Sequence, residues 1–289
     1  MISSYLNYHW PALAIFLQCS SCRYICALIL GLCLGSFINV VIYRLPIMQG
    51  YAPDHINIQN CKQTLSLMQP ASFCPQCRLS LRWWMNLPLL SYIILRGRCH
   101  FCHTKISYLY PVVEIATTVL FLALAYNYHD AMHLISYSIL LISLLALSII
   151  DLKTMILPDI LTIPLMWLGL IANLYGDLSG SLLLSVTGAI IGYLFLATIY
   201  WLFKLFTKKD GLGFGDFKLM AAIGAWLGNQ YIIPVALISS SFAILYAVVN
   251  FLLLKKNMRE AIPFGPFLSL AAVCCLLFNH FVQPVLLWS

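Results

Sequence analysis

SILLISLLALSIIDLKTMILPDILTIPL, residues 138–165, governs how the rest of the chain is read. An apolar run begins near His133, carries no charge through Ile150, and ends on Asp151. A short polar break with Lys153, Pro158 and Asp159 follows, and apolar sequence then resumes as far as Tyr175. Two uncharged runs close to the ~20 residues that cross a hydrocarbon core, joined by so short a break, predict a pair of membrane-spanning helices. A carboxylate at such a helix end is conspicuous, because an Asp at the bilayer centre costs about 2.5–3.5 kcal/mol.

The same pattern extends outward in both directions. The chain has 289 residues, 62% of them hydrophobic and 9% charged. Soluble domains carry about 25% charged residues, so an ordinary soluble domain is excluded. Apolar runs predict spans near 11–42, 111–127, 133–150, 157–175, 181–206, 217–229, 232–254 and 265–287. The expected fold is all-α and polytopic, with about eight transmembrane helices. Nothing basic precedes the run Trp10–Leu17, so a cleaved signal peptide is not expected.

Lys and Arg accumulate in cytoplasmic loops, and in an eight-span arrangement fifteen of the sixteen basic residues fall on one side, Arg23 being the exception. This predicts that the basic loops are cytoplasmic and that both termini lie outside, on the opposite side of the membrane. The net charge of +7 then reports topology rather than a nucleic-acid partner.

Residues 44–110 break the apolar pattern and are too long for a hairpin connection. The expected organisation is a first span over 1–43, a cytoplasmic insertion over 44–110, and a seven-span core over 111–289. Within the insertion stand Cys74-Pro-Gln-Cys77 and Cys99-His-Phe-Cys102, separated by 21 residues. Paired knuckles at this spacing predict a zinc-ribbon-like site with four thiolate ligands. A reducing cytoplasmic loop disfavours the alternative of disulfides. Four thiolates leave no open coordination position, so the zinc is expected to be structural. His100 and His103 lie in the second knuckle and are expected to face solvent.

Only nine residues are acidic. Asp151, Asp159, Asp216 and Glu114 lie beside or within spans. Asp151 ends the third span and Asp216, in GLGFGDFKLMAAIGAWLG, opens the sixth on the same expected face. Two carboxyl groups that converge can hydrolyse a peptide: one, ionised, takes a proton from water while the other, protonated, polarises the carbonyl. Gly211, Gly213 and Gly215 are expected to permit a tight approach of the backbone to an extended substrate, with positive φ open to them and no Cβ to obstruct. The bland alternative is that the aspartates cap helices at the interface, a role that suits Asp159, just after Pro158. Glu114 fits either a helix start or a pairing with an Arg.

Together these stretches resemble the bifunctional type IV prepilin peptidases. The resemblance rests on GSFINVVIYRLP from Gly35, the two knuckles and the sequence between them, ISYLYPVVE from Ile106, DLKTMILPDILTIPL from Asp151, the glycine-rich stretch from Gly211, and IPFGPFL from Ile262. It implies a GxGD aspartic protease with Asp151 and Asp216 as the catalytic pair and Cys74, Cys77, Cys99 and Cys102 as zinc ligands. It further implies that a prepilin or type II secretion pseudopilin is cleaved after a glycine that ends a short basic leader, usually before Phe. The new N-terminus is then methylated from S-adenosylmethionine. Asp159 and Asp210 match family positions without an assigned role. No GxGxxG-type nucleotide loop is present to name the methyl-donor site. A leader peptidase without methyltransferase activity, an ion-coupled transporter and a metal-responsive scaffold are the competing readings.

Overall fold

The computed structural model describes residues 19–51, 65–176, 178–209, 211–254 and 262–278. Residues 11–18 of the first expected span, 279–287 of the last, and Asp210 lie outside them. The described residues are helical: α1 (Ser20–Met48), α2 (Leu90–Ile94), α3 (Leu109–Asn127), α4 (Ala131–Thr154), α5 (Asp159–Gly176), α6 (Leu182–Thr207), α7 (Phe214–Leu227), α8 (Ile232–Leu254) and α9 (Gly265–Leu277). They carry no strand, only two isolated β-bridges. Among the described residues, six helices are long and apolar enough to cross a membrane, namely α1, α3, α4, α5, α6 and the stretch Asn229–Leu252 that includes α8. The chain is a multi-pass membrane protein, and its described residues fall into two compact units on either side of the boundary between Asp130 and Ala131.

In the first unit α1 and α3 run antiparallel. Small residues let the backbones meet: a Cβ on Gly31 would lie 2.7 Å from the Thr118 Cα, and one on Gly35 2.8 Å from the Glu114 Cα. Polar groups close the two ends. The Asn39 side chain donates to the Tyr110 carbonyl at 3.1 Å, and the buried Arg23 donates to the Ala125 carbonyl at 2.9 Å. Arg23, the exception to the charge pattern, thus satisfies a carbonyl in the last turn of α3.

The second unit is organised about α7. The expected sixth span is a helix of only 14 residues, ~21 Å long against a core of ~30 Å. Every residue from Leu219 to Leu227 is buried. A helix that is apolar all round is buried in protein or in a membrane, and here protein buries it: α7 is enclosed mainly by α5 and α6, with α9 against it. Gly188 and Gly224 bring the α6 and α7 backbones into direct contact, and a Cβ on Gly192 would lie 2.7 Å from the Met220 carbonyl oxygen. The Trp226 indole lies on Gly169 and donates to the Leu165 carbonyl at 2.8 Å.

Because α7 ends inside protein, its last carbonyls need partners. The buried Asn173 amide donates to Ala225 at 2.9 Å and to Trp226 at 3.3 Å, and accepts from the Ser179 N–H at 2.6 Å. The Ser185 hydroxyl also donates to the Ala225 carbonyl. Asn173→Leu is expected to lower stability by about 1–3 kcal/mol through the unpaired groups it leaves, which thermal unfolding in detergent measures.

Candidate active site

α4 ends one turn beyond Asp151. Met155 adopts φ 55° and its N–H returns to the Asp151 carbonyl at 2.8 Å, the left-handed stop that closes many helices. Asp151 therefore sits at the helix end that the sequence indicates, 5% exposed. Asp216 occupies the first turn of α7 and is 6% exposed. Each carboxylate accepts a backbone N–H from a glycine: Asp151 Oδ2 from Gly265 at 3.0 Å, Asp216 Oδ2 from Gly213 at 3.1 Å.

Leu157 joins the two sites. A Cβ on Gly215, the residue before Asp216, would lie 2.8 Å from the Leu157 Cβ. A Cβ on Gly265 would lie 3.1 Å from Leu157 Cδ2 and 2.7 Å from Asp151 Oδ2. Two buried acids, 65 positions apart in sequence, thus share one neighbourhood, the arrangement a shared proton requires.

None of the three glycines uses the positive φ open to it. Gly213 has φ −79°, and neither Gly211 nor Gly215 is among the glycines with positive φ. Space is what excludes side chains at two of them: beside Leu157 at Gly215, and at Gly211 beside the Phe203 ring, 2.8 Å from a Cβ. Gly265 was not legible as part of the site. Its signal is the Gly-Pro start of α9 in IPFGPFL, a helix entrance that leaves an N–H free to donate.

Asp159 opens α5, as the sequence suggests, and its two oxygens lie 2.7 Å from Lys218 Nζ. The pair is partly exposed and straps the turn after Asp151 to the helix that carries Asp216. Glu114 belongs to the first unit, where it is buried and accepts the Leu89 N–H at 2.8 Å.

The four cysteines of the insertion come together, their Sγ atoms all within 4.8 Å of one another. The two knuckles repeat one geometry. Phe73 bridges to Ser80 and Arg98 to Lys105. Cys74 N–H donates to Leu79 and Cys99 N–H to Thr104, at 3.0 and 2.9 Å. The residue after each second cysteine is left-handed, Arg78 at φ 57° and His103 at φ 55°. Cys74 and Cys102 Sγ are 3.8 Å apart, the edge of a tetrahedron with metal–sulfur bonds of about 2.3 Å. Burial pushes the Cys74 thiol up to about 11, while the Thr104 hydroxyl brings Cys102 down to about 6. The group fits a closed four-thiolate cation site. His100 stacks edge-on with Trp84 at 5.6 Å, and neither His100 nor His103 joins the cluster.

Residues 29–128, which include the four cysteines, match the model of the bacterial peptidase A24 N-terminal domain. Residues 138–248, which include Asp151 and Asp216, match that of the type IV leader peptidase family. Several relatives carry the name prepilin leader peptidase/N-methyltransferase. One from Neisseria gonorrhoeae is 44% identical over 231 residues, 77% of this chain and 80% of that protein. One from Pseudomonas putida is 46% identical over 235 residues, 79% of this chain and 80% of that protein. One from Klebsiella pneumoniae is 46% identical over 213 residues, 74% of this chain and 89% of that protein. No solved structure matches this chain. With both models matched in order and relatives this similar across most of their length, the chain belongs to the type IV leader peptidase family.

Proposed function

We propose that this protein is an inner-membrane aspartic endopeptidase that removes the leader of type IV prepilins and pseudopilins and then N-methylates the exposed residue. The observation that carries the peptidase half is the pair of buried carboxyl groups, each held by a glycine N–H, around Leu157. One proton shared between Asp151 and Asp216 gives the chemistry both of its parts. The ionised carboxylate removes a proton from water as its oxygen attacks the scissile carbonyl carbon, and the protonated one hydrogen-bonds the carbonyl oxygen. Collapse of the tetrahedral intermediate breaks the C–N bond, and the amine leaves with a proton from the pair. The N–H groups of Gly213 and Gly265 hold each carboxylate by one oxygen.

The tetracysteine site suits a structural Zn²⁺ held by Cys74, Cys77, Cys99 and Cys102, which fixes the fold of the insertion and takes no part in hydrolysis. The methyl donor implied by the relatives' shared name is S-adenosylmethionine, which supplies an electrophilic methyl group to the new amine. The charge pattern of the loops favours placing the aspartates and the cysteine loop on the cytoplasmic side, where a leader would be met.

The test is incubation of the detergent-purified protein with a prepilin and labelled S-adenosylmethionine, with leader loss and methyl incorporation scored separately. Both activities are expected. Methylation only of pilin whose leader has been removed beforehand would overturn the peptidase half.

Two glycines beside the pair should respond unequally. Gly265→Ala puts a Cβ 2.7 Å from Asp151 Oδ2 and is expected to slow cleavage by about 10²-fold, the usual consequence of a displacement near 1 Å. Gly213→Ala finds its nearest neighbour at 3.4 Å and costs only the small Gly-to-Ala difference at an N-cap, under about 1 kcal/mol. Single-turnover cleavage rates of the two variants compare them.

A further inference from the structure

The insertion between α1 and α3 turns several large apolar side chains outward. Trp83 is 78% exposed, Ile93 69%, Ile94 63% and Leu90 56%. They lie on two short elements in contact with each other, the 3-10 turn Trp83–Asn86 and α2. Residues 65–113 contain five basic side chains and no acidic one. All five are exposed, and none forms an ion pair among the described residues. A surface that presents apolar groups beside unpaired cations fits a boundary where hydrocarbon meets negative charge.

The attachment of the segment selects that boundary. It leaves α1 after Met48 and enters α3 at Leu109, both membrane-spanning helices, so it is held at the bilayer surface at both ends. Tryptophan is the residue that settles at headgroup depth. Arginine buries its stem along apolar surface with its guanidinium at the phosphates. A purely positive segment gains further from anionic lipid, whereas an apolar protein partner would leave the cations unpaired.

We propose that Trp83–Arg96 is an interfacial anchor lying on the protein's own bilayer, with Trp83, Leu90, Ile93 and Ile94 at the edge of the acyl chains. Arg82 and Arg96 take the phosphates of anionic phospholipids. The anchor holds the cysteine cluster at a fixed height above the membrane and is independent of which residues perform catalysis.

The full chain is reconstituted in nanodiscs with brominated acyl chains, of phosphatidylcholine alone or mixed with phosphatidylglycerol. Tryptophan emission is compared between the wild type and Trp83→Phe, and the difference isolates Trp83. That component is expected to fall roughly two-fold on bromination, as for a tryptophan at the interface, and to resist aqueous iodide. Phosphatidylglycerol should increase the quenching, and Arg82→Gln with Arg96→Gln should abolish the increase. Adding Ile94→Trp to Trp83→Phe provides a second reporter at the same depth, with the same expected response. Quenching by iodide and not by bromolipid places the segment in water and overturns the proposal. Insensitivity to both means that protein covers it, which overturns the proposal equally.

Discussion

Asp151→Asn and Asp216→Asn are each expected to reduce leader cleavage by several orders of magnitude while leaving the fold intact. Asn keeps the volume of Asp and retains an oxygen able to accept the N–H of Gly265 or Gly213, the partner each carboxylate has now. What disappears is the exchangeable proton and the charge. Members of one catalytic unit are strongly non-additive, so the double variant should be scarcely slower than either single one. If the aspartates were only helix caps, each substitution would lower stability by about 1 kcal/mol or less and leave turnover almost untouched. Cleavage rates alongside thermal unfolding distinguish these outcomes: variants that are folded but inactive support the pair, and cleavage within ten-fold of wild type removes it.

The sequence announced these residues through rarity. Few acids interrupt so apolar a chain, so Asp151 and Asp216 stand out at helix ends, and both lie where the sequence places them. The identity of α7 was harder to read, because an apolar run at hydrophobic length looks alike whether lipid or protein surrounds it. Its glycine contacts with α6 and the Asn173 latch at its end identify it as a core helix, and those partners lie far away in sequence. Gly265 was hidden for the same reason: its N–H reaches a carboxylate 114 positions earlier. Glu114 resisted assignment because its partner is the backbone N–H of Leu89, whose left-handed φ of 56° no side-chain pattern reveals. Knuckle chemistry, by contrast, is local, and the two cysteine turns follow directly from their spacing.

Zinc removal is expected to unfold the insertion and spare the membrane helices. Among residues 65–108, only Cys74, Met85 and Cys99 are buried. Two of these three are the proposed zinc ligands, which leaves one methionine as the apolar core. Burying it contributes about 1.5–3 kcal/mol, whereas ordering each residue's backbone costs about 1–2 kcal/mol. Apolar burial therefore cannot hold the segment. Hydrogen bonds tie it to its neighbours, from Arg44 to the carbonyls of Ser66, Leu67 and Pro70, and from the Leu89 N–H to Glu114, but these fix its ends and not its middle. Structural zinc in finger peptides supplies about 10–16 kcal/mol, several times what burial of the one methionine contributes. Elemental analysis should find one zinc per chain, absent from Cys74→Ser and Cys99→Ser. Limited proteolysis of those variants, or of chelated wild type, should cut within 65–108 while the helical circular dichroism of the spans persists. A metal-free protein whose insertion resists protease as well as the wild type would mean that something other than the cation holds these knuckles together.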